Sequence, residues 1–246
     1  MMTNASLELM RQMKLTGMAD AYQAVLELPL QQQLQGDELI ARLMDAEQQY
    51  RHTKKMMMYT RLSKLRYQAN IQDIQCSEHR NLSTQQLAKL SDRAWIERGE
   101  NLLISGATGC GKSYLACALG HHACALGLRT MYFNMNRLCE QIAIAQAEGS
   151  TIKWLNRLKR AKLIILDDFG LQPITHKVKL LLLQILEDRY ERSATMICSQ
   201  LPVAKWHEYF DEPTIADAIL DRLVHRAHRV ELKGQSLRKN SKTLSS

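Results

Sequence analysis

Lys112 and Ser113 close the stretch GATGCGKS (Gly106–Ser113), and two carboxylates, Asp167 and Asp168, end the run LIILDD. An ammonium beside a hydroxyl, at the end of a loop with little side chain, is suited to gripping a polyphosphate. The loop fits G-x-x-x-x-G-K-[ST], with Gly106, Gly111, Lys112 and Ser113 at the fixed positions. Ala107, Thr108, Gly109 and Cys110 fill the variable ones, and Tyr114 opens the helix that should follow. Small residues let backbone N–H groups approach and wrap a triphosphate, and the helix N-terminus adds partial positive charge. Lys112 is expected to reach the β- and γ-phosphate oxygens, and Ser113 to ligate magnesium.

Such a loop needs an acid on a neighbouring strand. Asp167 is expected to orient the metal, directly or through water, and Asp168 to position the attacking water. Many ATPases of this kind carry glutamate at the second position, and aspartate is one methylene shorter. Ser199 and Gln200 end ATMICSQ and are candidates to sense the γ-phosphate. Arg222 follows Asp221 in IADAILDRL, where it suits either a charge-stabilising role at a neighbouring subunit's nucleotide or a helix-end salt bridge. GQSLR supplies a further arginine, Arg238.

The elements that must position these residues are legible in the hydrophobic pattern. NLLIS (101–105), TMYFNM (130–135), KLIILDD (162–168), ATMICSQ (194–200) and HRVEL (228–232) read as strands. Helical stretches lie between them, among them 114–126 and 177–190. Continuous apolar runs such as LIIL imply strands covered on both faces, hence a mostly parallel sheet in an α/β domain. Residues 1–72 differ in kind, being Gln-, Met- and Leu-rich with helical periodicity. Leu7, Met10, Leu15 and Met18 suggest one amphipathic helix, and Leu39, Leu43 and Ala46 a second. The expected division is a small all-helical domain over 1–72 and the α/β domain over 73–246, with a connector and short helix in 70–90.

Composition narrows the class. Thirty-three lysines and arginines oppose 25 acids, a formal charge of +8, which favours an anionic partner. Six cysteines form no CxxC pair; Cys110, Cys117 and Cys124 recur every seven residues as small apolar groups, a pattern of a reducing compartment. MMTNASLELM does not read as a secretory leader and no run is long enough to span a bilayer, so a cytoplasmic protein is expected. The pairs His121/His122 and His225/His228 lack partners at ligand spacing, leaving magnesium to arrive with the nucleotide.

The order of GATGCGKS, LIILDDFG, CSQLPVAKWHE, ILDRLVH and ELKGQSLRK resembles the IstB-like transposition helper ATPases, of the AAA+ class alongside the DnaC-type helicase loaders. SQLPVAKWHE and DRLVH are the more specific signals, and LTGMADAY extends the resemblance to nearly the whole chain. The resemblance implies a P-loop NTPase of AAA+ type with a five-stranded sheet ordered 5-1-4-3-2, and oligomers assembled by ATP between subunits. It implies Arg222 as arginine finger, Gln200 (with Ser199) as first sensor and Arg238 as second. The segment after HRVEL is shorter than the helical lid of many AAA+ proteins. The family's work is to select duplex target DNA and stimulate the cognate transposase.

For DNA, the densest basic stretch is RHTKKMMMYTRLSKLRY (Arg51–Tyr67), with Arg51, Lys54, Lys55, Arg61 and Lys64 and no acid. On a helix, Arg51, Lys54, Arg61 and Lys64 share a broad face suited to sequence-independent phosphate contacts, with Met58, Leu62 and Leu65 as the packing face. Met56, Met57 and Met58 read as core filler. A second run, KWLNRLKRAK (153–162), is expected to line the same path. Together these readings give an ATP-dependent DNA-binding helper ATPase using ATP and Mg2+. Its alternatives are a helicase loader and a non-hydrolysing nucleotide-dependent scaffold.

Overall fold

The structure is a computed structural model that describes residues 2–29 and 36–237. Contacts divide the chain into two compact units, with the boundary between Met58 and Tyr59. Residues 59–72 belong to the second unit because Leu65, Ala69 and Ile71 pack there, Leu65 against the helix that follows the phosphate loop.

In the first unit, the expected single helix over residues 7–18 is two helices, α1 (Met2–Gln12) and α2 (Thr16–Leu26). The chain turns at Lys14, whose φ is +60°, while Leu15 N donates to Met10 O at 2.8 Å. Helix α3 (Asp37–Ser63) begins in this unit and contains the boundary. Gly17 brings α2 onto α3 so closely that a Cβ there would lie 2.6 Å from Ala46 O. Met18 N caps the contact by donating to Glu47 Oε2 at 3.1 Å, and Arg51 Nε donates to Glu47 Oε1 at 2.7 Å. Burial pushes the Glu47 carboxyl up, but Arg51 and the backbone amides outweigh it and hold it below the usual range. Ala19, Val25 and Leu43 form the small core.

The second unit is a three-layer α/β/α sandwich. Helices α4 (Thr84–Ser91) and α5 (Ala94–Glu97) lead into β1 (Asn101–Gly106) and α6 (Lys112–Ala125). Then come β2 (Thr130–Asn134), α7 (Met135–Ala147), α8 (Thr151–Lys159), β3 (Leu163–Phe169) and α9 (His176–Arg189). The chain finishes with β4 (Ala194–Ser199), α10 (Trp206–Phe210), α11 (Pro213–Val224) and β5 (Ala227–Leu232). All five strands are parallel in the order β2-β3-β4-β1-β5, which is the 5-1-4-3-2 order expected. Strand alternation splits the core in two. Leu102, Ile104, Leu163, Ile165 and Met196 face α4, α5 and α6, whereas Leu103, Ile164, Leu166 and Ile197 face α7 to α11. Burial on both faces is why these strands read as unbroken apolar runs. All six cysteines are free thiols. Among the described residues no helix is long and apolar enough to cross a membrane, and no cluster of metal-ligating side chains occurs.

Candidate functional site

Parallel strands deliver their C-terminal ends to one edge of the sheet, and the loop Gly106–Ser113, Asp167, Asp168 and Gln200 gather there. The loop Gly106–Ser113 leaves β1. Gly106 has φ +148°, and a Cβ on it would sit 2.3 Å from Leu232 O on the neighbouring strand, so no other residue fits. Lys112 is 8% exposed and folds back, its Nζ donating to Gly106 O and Ala107 O at 2.9 Å each. Helix α6 starts at Lys112, two residues earlier than the apolar pattern suggested, directly after left-handed Gly111. Tyr114, in its first turn, has its ring 6.2 Å from that of Tyr67.

Asp167 is 1% exposed at the end of β3 and joins three elements. Its Oδ1 accepts from Ser113 Oγ at 3.0 Å and from Asp168 N at 2.9 Å, and its Oδ2 accepts from Tyr132 OH at 2.6 Å. Burial, and then the hydrogen bond to Asp167 and its charge, push the Tyr132 phenol well up, which keeps it a donor. Asp168 is a bulged residue. The β3–β4 register slips between Leu166 and Phe169, and Asp168 takes φ +58°, which turns its side chain out of the alternation. Asn134 Nδ2, from the end of β2, donates to Asp168 Oδ2 at 2.6 Å, and Arg66 Nη1 lies 3.7 Å from the same oxygen.

Gln200 meets the loop directly, accepting from Thr108 Oγ1 at 2.7 Å. Ser199 does not share that role. It is fully buried, its Oγ donates to Phe169 O at 2.7 Å and accepts from Leu201 N at 3.0 Å, and so its hydrogen bonds hold the bulge. Arg222 lies at the opposite edge of the sheet from the loop. Asn101 Nδ2, at the start of β1, donates to Arg222 O at 2.8 Å, and the Arg222 guanidinium pairs with Glu187 at 2.6 Å and Asp221 at 3.2 Å. Within one chain it is not beside the loop. Arg238 lies outside the described residues.

Arg80 beside the loop carried no signal in the sequence, whereas the segment after β5 was marked by GQSLR. Arg80, in the connector before α4, donates from Nη2 to Cys110 O at 3.0 Å and from Nη1 to Gln75 O at 2.9 Å. This fixes one loop peptide with its carbonyl turned outward. Leu237 N donates to Gly109 O at 3.0 Å, and Lys233 N to Arg80 O at 3.1 Å, so the segment after β5 flanks the loop as well.

The basic stretch differs from the expected single face. Arg51 is paired with Glu47, and Lys54 Nζ sits 5.6 Å from the Tyr50 ring. Lys55 and Arg61 are exposed on α3, whereas Lys64 falls beyond its end at φ +54°. Met58 and Leu62 are 42% and 37% exposed and Met57 is 65% exposed, so they form neither packing face nor core. The residue buried in the last turn is Ser63, held by its hydroxyl to Thr60 O at 2.7 Å. The second basic run lies on α8, which buries Leu155 and Leu158 and leaves Lys153, Arg157 and Arg160 exposed.

Residues 8–245 match the family described as IstB-like ATP binding protein. The chain is 42% identical to insertion sequence ATP-binding protein y4pL of Sinorhizobium fredii over 98% of this chain and 99% of that one. It is 36% identical to the IS1162 ATP-binding protein of Pseudomonas fluorescens over 82% and 88% of the two chains. In fold it resembles the DnaC helicase loader, with a TM-score of 0.55 at 19% identity over 68% of this chain and 98% of that one. A DNA replication initiation factor aligns with a TM-score of 0.59 at 18% identity over 73% and 55%. A match from residue 8 to residue 245, on a sheet ordered as in AAA+ P-loop domains, establishes that this chain belongs to the IstB-like ATP-binding proteins.

Proposed function

We propose that the chain is a DNA-binding helper ATPase of insertion-sequence transposition, switched by ATP. The observation that carries the reading is the junction of Ser113 with the buried Asp167 under a glycine-lined loop holding Lys112. The loop amides bind the triphosphate and Lys112 neutralises its β- and γ-oxygens. Magnesium fits here because a hydroxyl and a buried carboxylate, both hard oxygen donors, converge. Ser113 and Asp167 would hold the ion, which supplies charge neutralisation on the phosphates. Asp168 orients the attacking water, and Gln200, through Thr108, registers the terminal phosphate. Arg222 acts on a neighbouring copy, since its own loop lies across the sheet. ATP thereby favours a homo-oligomer.

Duplex DNA and a transposase are the proposed partners, and the cytoplasm the proposed location. The names of the relatives, insertion sequence ATP-binding proteins, support the setting, and the charge of +8 with the basic residues of α3 supports the nucleic acid. Calorimetry with ATP and sedimentation with and without it test the reading. Wild type should bind and assemble, and Lys112→Ala should do neither; assembly indifferent to ATP would contradict it. A second reading, a nucleotide-dependent scaffold that hydrolyses little, is favoured by the engagement of Asp168 with Asn134 and Arg66. Phosphate release measured with and without duplex separates the two.

A further inference from the structure

Along the β2 edge of the second unit, three concavities share their walls. The first, about 570 Å3, is lined by Lys64, Arg66 and Arg137 and opens onto Asp168. The second, about 320 Å3, shares Lys64, Tyr132, Phe133 and Gln141 with the first and Trp154 and Arg157 with the third. The third, about 1070 Å3, is lined by Lys153, Arg157 and Arg160. With Arg129, which also lines the third, seven cations thus follow one groove, against two carboxylates, Asp168 at one end and Glu148 further along. Among the described residues only Arg66 of the seven is in an ion pair, and that pair is with Asp168.

We propose that this groove is a binding track for the phosphate backbone of nucleic acid, and that its occupant competes with Asp168 for Arg66. The proposal rests on the ATPase reading above and adds a site and a coupling to it. Like charges that outnumber the acids among them repel one another and are relieved by an anion. The charges run through three joined concavities, where a single phosphate would fill one, so the matching ligand is a repeating anion. Strand β2, helices α7 and α8 and residues 62–66 line the groove, all of them within the second unit.

The coupling follows from Asp168. Its Oδ2 is shared between Asn134 and Arg66, and the Arg66 guanidinium also lies 5.2 Å from the Tyr67 ring. A phosphate arriving between Lys64, Arg66 and Arg137 draws the guanidinium toward itself. Asp168 then loses its counter-charge and is free to orient water.

Two double variants of the full chain test this, Lys153→Gln with Arg157→Gln and Lys64→Gln with Arg137→Gln, the latter with Lys64→Arg and Arg137→Lys as charge-keeping controls. Duplex binding is followed by fluorescence anisotropy over a salt series, and phosphate release with and without saturating duplex. Each glutamine pair should flatten the slope of log K against log salt by about two units and weaken binding about tenfold or more, with the controls near wild type. The Lys64/Arg137 pair should also bring the ratio of DNA-stimulated to unstimulated phosphate release toward one. Unchanged slopes would overturn the track, and a flattened slope with an unchanged ratio would overturn the coupling. Calorimetric binding of inorganic phosphate lost in the Lys64/Arg137 pair, with DNA slopes unchanged, would reassign the groove to a free anion. Wild type that binds no DNA at all would instead remove the underlying reading.

Discussion

Ser113 Oγ and Asp167 Oδ1 meet at 3.0 Å, joining the first turn of α6 to the end of β3. The two residues are far apart in sequence, and the parallel sheet brings them together with a strand, β4, between their own. Under the proposed function, their contact is where the loop would hold its metal.

Asp167→Asn keeps the shape of that junction and removes its charge. ATP affinity should lose its dependence on magnesium, measured by calorimetry with the metal and with a chelator. Phosphate release should fall about a hundredfold or more, since metal-borne charge stabilisation is worth several kcal/mol. A variant whose affinity still rises with magnesium would place the metal elsewhere.

The position of Arg222, across the sheet from its own loop and paired with Glu187, makes a complementation experiment decisive. Arg222→Ala should bind ATP and release phosphate about a thousandfold more slowly. Mixed with Asp168→Asn, which keeps its nucleotide and its arginine but not the water-orienting carboxylate, it should regain activity. Two inactive variants that stay inactive together would show that Arg222 does not serve a neighbour.

Gly17→Ala probes the first unit. Its Cβ would meet Ala46 O at 2.6 Å and Tyr50 Cβ at 2.7 Å, atoms of a helix that cannot yield without moving whole. The expected cost is about 1–3 kcal/mol, seen as lost hydrogen-exchange protection across α2 and the first part of α3. Protection equal to wild type would mean the helices separate at little cost.

Glu100 sets an acid limb for the second unit. Hydrogen bonds from Arg98, and then from His228, hold its carboxyl down at about 2 against the upward push of burial. The unfolded carboxyl titrates near 4.5. The folded form therefore gains stability from Glu100 that is complete above pH 4.5 and is lost as pH falls toward 2. Urea unfolding should find Glu100→Gln less stable than wild type at pH 6, with the gap narrowing at pH 3. An equal gap at both values would contradict the assignment.

What the sequence disclosed, and what it hid, follows from the range of the forces involved. LIIL and ATMIC announced strands because both their faces are buried, and the loop announced itself because backbone must approach phosphate. The break at Lys14 was invisible, since it is imposed by the docking of Gly17 on Ala46 and Tyr50 and not by any local breaker. Ser199 was misread for a similar reason. Its commitment to Phe169 O depends on a bulge that no periodicity records. Arg80, Arg66 and Asn134 reach the site only through tertiary contacts, and a lone arginine in a connector looks like any other.

The sheet order has a consequence for synthesis. Strand β1, which carries the nucleotide loop, pairs only with β4 and β5, both of which are made later by the ribosome. A nascent chain that has reached α9 holds a finished β2–β3 pair and a β1 with no ladder of its own. Competence for ATP is thus acquired only once β4 and β5 have been made, after the acid-bearing strand is already in place.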